Sequence, residues 1–143
     1  MFSTVLLAVD PNHEESWAAA LPKAAELARQ SKGALHLAAV APDLGTTIVA
    51  AAFPADFEAI ALERAKADLA AFAAAHAPAD VPTQTHVGHG HVAQEIARIA
   101  EEIGADLIVL GAQRHDAIRN LLIGSNADRI VNASPVSVLV VRG

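Results

Sequence analysis

The amino-acid sequence predicts an α/β fold, in which a parallel sheet of five strands is covered by helices on both faces. Short runs of β-branched and aliphatic residues, typical of buried parallel strands, alternate with segments whose apolar residues recur every three or four positions. Strict alternation of strand and helix is typical of parallel sheets joined by helical crossovers. The length of 143 residues indicates one domain, predicted over residues 1–143.

The first half of the chain begins with a buried strand over Thr4–Val9, which runs into the turn sequence Asp10–Asn12. A helix follows and closes near Gly33. Its apolar stripe consists of Trp17, Leu21, Ala24 and Ala28. The second strand covers Ala34–Val40 and precedes a long helix rich in alanine, the strongest helix former. The apolar positions of that helix are Phe57, Ala61, Ala65, Leu69 and Phe72.

The second half continues with three strands and two helices. Strand three, Thr83–Val87, is more polar than the others, and we therefore expect it near an edge of the sheet. Helix three ends at Gly104, and helix four begins at about Leu121. Strands four and five cover Leu107–Leu110 and Val136–Val141. The apolar stripe of helix three consists of Val92, Ile96, Ile99 and Ile103.

One long connection, Ala41–Asp56, interrupts this regular pattern and contains the turn residues Pro42, Gly45 and Pro54. Loops of more than about 12 to 15 residues inside a compact domain tend to be functional or mobile.

Composition narrows the classes of function. Hydrophobic residues make up 53% and charged residues 18%, which excludes a disordered chain. No apolar run reaches the ~18 to 20 residues that span a bilayer, so we expect no membrane segment. The net charge is −6 without a basic cluster or an aromatic ladder, which argues against nucleic-acid binding. The lack of cysteine and of a signal-peptide pattern after Met1 favours a cytoplasmic protein.

Parallel sheets of this kind bind ligands at the carboxyl ends of their strands, where the strand order reverses. The predicted strand ends at Asp10, Val40 and Gly111 are therefore candidate ligand-binding positions. Asp10 has a second interpretation, since Asp-Pro-Asn is also a favourable turn sequence.

A glycine-containing motif connects strand four to helix four. Gly111 ends the strand, and Gly124-Ser125 precedes the helix. A glycine allows close approach of the backbone to a ligand, and a helix start offers unpaired N–H groups and the positive end of the helix dipole. The motif therefore suits phosphate, although an ordinary loop with a C-cap glycine and an N-cap serine has the same residues.

With these residues the chain resembles the universal stress protein family over essentially its whole length. The resemblance is strongest over residues 105–127 and 137–141, and includes Val87–Gly90 before helix three. It implies a Rossmann-like fold of the adenine nucleotide alpha-hydrolase type. The nucleotide-binding branch of the family carries Gly-x2-Gly-x9-Gly-(Ser/Thr), and this chain differs at the second glycine, which is Arg114. Some family members share this arginine.

The resemblance implies that ATP, with or without Mg²⁺ or Mn²⁺, binds at these strand ends. Asp10 would face the adenosine moiety, and Val40 would line the base pocket. Arg114 would pair with phosphate oxygens through its charged fork, unless it is a solvated surface residue. The other implied binding residues are Ala8, Val9, Leu110, Gly111, Gln113, Gly124, Ser125, Asn126 and Ala127.

Three of the seven histidines, His86, His89 and His91, lie close together in the sequence. No carboxylate lies within this run, and the predicted strand ends inside it, so the side chains need not converge. We expect no metal site there.

Three functions remain open: a nucleotide-binding regulator of the stress response, an enzyme that hydrolyses or transfers phosphate slowly, and a nucleotide-free interaction module. The sequence lacks a Walker-type Gly-Lys-Ser/Thr and an evident base beside the glycines, so we expect at most slow ATP hydrolysis.

The last strand also predicts a partner. Val136–Val141 is apolar and contains neither lysine nor proline, the residues that usually protect an exposed sheet edge. The family resemblance implies that this strand pairs with its two-fold mate in a homodimer. If Val140 faces the partner, Val140→Lys should give a monomer, whereas Leu139→Lys, on the opposite face, should damage folding.

Overall fold

The computed structural model describes residues 2–42, 57–112 and 125–142 of the chain. Its five strands are β1 (Thr4–Ala8), β2 (Ala34–Pro42), β3 (Thr83–Gly90), β4 (Leu107–Gly111) and β5 (Ser137–Val141). Its four α-helices are α1 (Ala20–Gln30), α2 (Phe57–His76), α3 (Val92–Ile103) and α4 (Ser125–Ala133). A short 3₁₀ helix, Glu14–Ser16, lies between β1 and α1.

The strands form one parallel sheet in the order β3-β2-β1-β4-β5. The predicted α/β fold is therefore confirmed. β3 lies at an edge of the sheet, as its polar sequence predicted. β1 lies at the centre, and its apolar residues Val5, Leu6 and Leu7 are fully buried.

Alternation along the strands divides the core into two layers. On one face, Leu7, Leu37 and Val109 pack with α1 and α2. On the other face, Leu6, Ala38 and Ile108 pack with α3 and α4. Both faces of the sheet are thus covered, which explains why its central strands are almost continuously apolar.

Several element boundaries differ from the sequence-based predictions. β2 and β3 continue together to the pair Pro42–Gly90, so the long connection after β2 begins two residues later than predicted. Helix α1 begins at Ala20, so Trp17, the first residue of the predicted apolar stripe, lies between the 3₁₀ helix and α1. The predicted start of helix four at Leu121 lies outside the described residues.

The two faces of β5 contradict one prediction. Leu139 is 38% exposed, whereas Val140 is half-buried and packs against the core layer beneath α4. The expectation that Leu139 lies on the buried side, where lysine would damage folding, is therefore wrong, since Leu139 is the more exposed of the two residues. Because side chains alternate along a strand, neighbouring residues must lie on opposite faces of the sheet. The sequence does not show which of the two faces is the more covered.

Within the described residues, every helix is too short or too polar to cross a membrane.

Candidate functional site

The strand order reverses beside β1. The chain passes from β1 to β2 and β3 on one side of the sheet, and then crosses to β4 and β5 on the other. Asp10 lies two residues after β1, Val40 lies two residues before the end of β2, and Gly111 ends β4. Because the strands are parallel, the structure brings these three residues to the same edge, where sheets of this kind form a ligand-binding crevice.

Asp10 lies in a hydrogen-bonded turn directly after β1. Its Oδ1 accepts the N–H of Asn12 at 3.0 Å, and its Oδ2 lies 2.7 Å from Nδ1 of His13. The Asp10 side chain is still 49% exposed. Each carboxylate oxygen has a second lone pair, so the group retains acceptor capacity for a ligand. The turn role and a ligand-binding role are therefore compatible.

The buried Ser16 holds this turn together, since only 8% of its surface is exposed. Its Oγ accepts the N–H of Asp10 at 2.9 Å. The same hydroxyl has the carbonyl oxygens of His13 at 2.8 Å and Asp10 at 3.1 Å as acceptors. A buried hydroxyl with its donor and acceptor capacity in use fixes the backbone around it.

The backbone of this same turn packs closely against Gly111. A Cβ atom on Gly111 would lie 2.5 Å from the carbonyl oxygen of Ser16 and 3.0 Å from that of Glu15. The sequence pattern predicts that a ligand approaches the backbone at this glycine. The structure supplies a different direct reason, which is that the 3₁₀ helix after β1 packs onto the end of β4.

Other predicted binding residues lie in the core of the described structure. Val9 is 7% exposed, and its N–H donates to the carbonyl of Ala38 at 2.9 Å. Leu110 and Ala127 are 5% and 9% exposed and belong to the layer beneath α3 and α4. Ala8 and Val40 are half-buried against this layer. In a ligand site at this edge, residues buried in this way would supply only backbone groups and the shape of the floor.

The remaining predicted residues belong to the connection between β4 and α4 or to the start of α4. Gln113, Arg114 and Gly124 lie outside the described residues. Ser125 and Asn126 are the first two residues of α4 as described.

The three histidines near the end of β3 have different surroundings. His86 contacts His36 of β2, with 2.8 Å between Nε2 and Nδ1. The N–H of His89 donates to Oε1 of Glu95 in α3 at 3.1 Å. Arg98 holds that carboxylate from the next turn of α3 and lowers the pKa of Glu95 below its usual range. His91 is exposed at the start of α3. In the described parts of the chain, no three His, Cys, Asp or Glu side chains are grouped as a metal site requires.

Ser16 is a residue of the candidate site that the sequence does not predict. A serine shortly before a helix is an ordinary capping candidate, and that is the only signal its position gives. Its contact with Gly111 joins residues far apart in the sequence, and such a contact becomes visible only in the folded chain.

Comparison with known proteins decides the family. The model of the universal stress protein family matches residues 1–142. The chain belongs to the universal stress protein family. Universal stress protein G of Escherichia coli O157:H7 is 32% identical to it, over 99% of this chain and all of the relative.

Solved structures of other universal stress proteins share the fold. One is a universal stress protein in complex with cAMP, 22% identical, with a TM-score of 0.62 over 99% of this chain and 97% of the other. Another is the universal stress protein from Archaeoglobus fulgidus in complex with dAMP, 17% identical, with a TM-score of 0.59 over 98% of each chain. At these identities the likeness establishes the fold of the family.

Proposed function

We propose that this universal stress protein binds ATP and acts as a nucleotide-responsive regulator in the cytoplasm, as a homodimer. The observation that carries the proposal is the position of Asp10 and Gly111. Gly111 ends β4, and Asp10 lies two residues after the end of the neighbouring strand β1. Both lie at the edge where the strand order reverses, which is where doubly wound sheets bind nucleotides. The motif Gly111…Gly124-Ser125 supplies the remaining phosphate-binding features.

The adenosine moiety is assigned to the end of β1. The carboxylate of Asp10 accepts hydrogen bonds, as from a ribose hydroxyl or the adenine amine, while Val40 shapes the base pocket. Glu14 and Glu15 follow as the two exposed residues of the 3₁₀ helix, so this part of the edge is acidic. Negative charge repels phosphate, and we therefore assign the uncharged part of the nucleotide to it.

The phosphates are assigned to the start of α4. Unpaired N–H groups and the helix dipole favour an anion there, and the hydroxyl of Ser125 adds a donor. Gly124 leaves room for close approach, and Arg114 supplies a bidentate positive group. Gln113, Asn126 and Ala127 complete this proposed set of residues.

The complexes with cAMP and dAMP support an adenine nucleotide as the class of ligand. Both ligands carry a single phosphate group. The preference for a triphosphate in this chain rests instead on the motif and on Arg114.

The homodimer is proposed through β5, the last strand of the described sheet. Leu139 exposes 38% of its surface there, and the strand contains no charged residue. Pairing with the same strand of a second copy would satisfy the outer backbone groups and form a closed, two-fold contact.

A nucleotide-free interaction module is the second candidate, and one observation favours it. The carbonyl of Ser16 explains the glycine at position 111 without any ligand. A glycine kept for that packing contact would remain in a chain that has lost nucleotide binding.

The two candidates differ in what the purified protein carries and binds. We expect excess absorbance at 260 nm in protein purified without added ligand, and calorimetric binding that is stronger for ATP than for AMP and weakest for GTP. Titrations with EDTA, Mg²⁺ or Mn²⁺ test the metal, and phosphate release tests slow hydrolysis. Absence of both bound nucleotide and binding heat would favour the nucleotide-free module.

A further inference from the structure

We infer that Ser16 is a positioning residue of the proposed nucleotide site, because it fixes the carboxylate of Asp10 relative to the end of β4. The inference rests on the proposed function and deepens it. Ser16 makes no assigned contact with the nucleotide and acts through Asp10.

The side chain of Ser16 controls the end of β1. Its Oγ accepts the N–H of Asp10 at 2.9 Å. The single hydroxyl hydrogen is directed to the carbonyl of His13 at 2.8 Å or that of Asp10 at 3.1 Å. The N–H of His13 also donates to the carbonyl of Asp10 at 2.9 Å. One buried hydroxyl therefore contacts the backbone of both Asp10 and His13 and holds the turn between them.

The direction of the Asp10 carboxylate follows from this turn. The N–H of Asn12 and the ring of His13 contact its two oxygens at 3.0 Å and 2.7 Å. The backbone of His13 is in turn bonded to Ser16. If the hydroxyl is removed, the turn loses the group that aligns both contacts, and the carboxylate gains rotamer freedom that binding must then remove.

The backbone of Ser16 connects the same turn to β4. Its carbonyl oxygen occupies the space that the missing side chain of Gly111 leaves open. One residue therefore contacts the end of β1 through its side chain and the end of β4 through its main chain. The adenosine part of the nucleotide is assigned to the end of β1, and β4 leads into the connection to α4, where the phosphates are assigned.

A double-mutant cycle with Ser16→Ala and Asp10→Ala tests the inference. Asp10→Ala removes the carboxylate but keeps the N–H and carbonyl that Ser16 contacts. We expect Ser16→Ala to weaken the binding of both AMP and ATP by about tenfold in the wild-type background. In the Asp10→Ala background it should have no further effect on affinity, although it should lower the melting temperature in both.

Two further variants control for folding. Ser134→Ala also removes a hydrogen bond to a serine hydroxyl, which here accepts the N–H of Val136 at 3.1 Å. This bond lies before the amino end of β5, away from the carboxyl ends where the site is proposed. It should lower stability without changing affinity. Ser16→Cys keeps nearly the volume of serine but bonds weakly, so it should reproduce the affinity loss if Ser16→Ala does not fold.

The outcomes separate the inference from the proposed function. If wild type binds ATP and Ser16→Ala binds it equally well, the inference is wrong and the proposed function stands. An equal affinity loss in both Asp10 backgrounds also overturns the inference, because Ser16 would then not act through the carboxylate. If wild type binds neither nucleotide, the proposed function and the inference fail together.

Discussion

The imidazoles of His36 and His86 meet edge to edge, with 2.8 Å between Nδ1 of His36 and Nε2 of His86. The ring planes are tilted by 20° and the ring centroids are 5.1 Å apart. This separation equals the N–N distance plus the two ring radii, so the contact is an in-line hydrogen bond and not a π-stack. Both residues lie in adjacent strands on the face covered by α3.

This pair predicts a loss of stability in mild acid. Burial lowers the pKa of His36, and the neighbouring His86 lowers it further. Burial also lowers the pKa of His86, while Glu102 of α3 partly opposes the shift. Histidines in the unfolded chain have a pKa of ~6.5, so below that pH the unfolded chain binds more protons than the folded one. The stabilisation is therefore complete above about pH 6.5 and is lost as the pH falls toward the lowered values.

Thermal unfolding between about pH 7.5 and 5.5 measures this effect. We expect the melting temperature of wild type to fall over this range, and the double variant His36→Leu/His86→Leu to show a smaller fall. The exposed His91 provides the control, since His91→Gln should follow wild type. A double variant with the full wild-type pH dependence would show that the pair does not cause it.

Replacement of Gly111 by alanine should displace the 3₁₀ helix. The new Cβ would meet three backbone atoms at 2.5 to 3.0 Å, and backbone atoms cannot rotate away. We expect a loss of about 1–3 kcal/mol in the free energy of unfolding. Trp17, the only tryptophan, directly follows Ser16, so its fluorescence emission should shift.

Gly104 is the matched control. It ends α3 with a φ of 68°, and a Cβ there has open space around it. Gly104→Ala should cost about 1 kcal/mol through its backbone conformation and leave Trp17 emission unchanged. If Gly111→Ala kept both wild-type stability and wild-type emission, the packing contact with Ser16 would not constrain position 111.

Most elements of the fold follow from local periodicity, but their ends and contacts do not. The spacing of Ile96, Ile99 and Ile103 is sufficient to place α3, whereas β3 extends to Gly90 because β2 beside it also continues. The strand ends of the candidate site were likewise predictable from the alternation of elements. The contacts of Ser16 with Gly111 and of His36 with His86 were not, since each joins distant segments that only tertiary packing brings together.

The dimer prediction is changed by the structure. Leu139 is 38% exposed, whereas Val140 is half-buried against the core layer beneath α4. Leu139→Lys should therefore give a folded monomer, and Val140→Lys should lower the melting temperature by burying a charge. Light scattering should give wild type a mass of twice the 14.8 kDa chain. A wild-type mass equal to one chain would end the dimer proposal.

A calorimetric titration of ATP into wild type and Gly124→Val tests nucleotide binding most directly. The branched side chain would stand where the phosphates are assigned, so we expect saturable binding by wild type and at least tenfold weaker binding, ~1.4 kcal/mol, by the variant. The far-UV circular dichroism of the two proteins should be the same. No binding heat with wild type, or equal affinities for the two proteins, would contradict the proposed site.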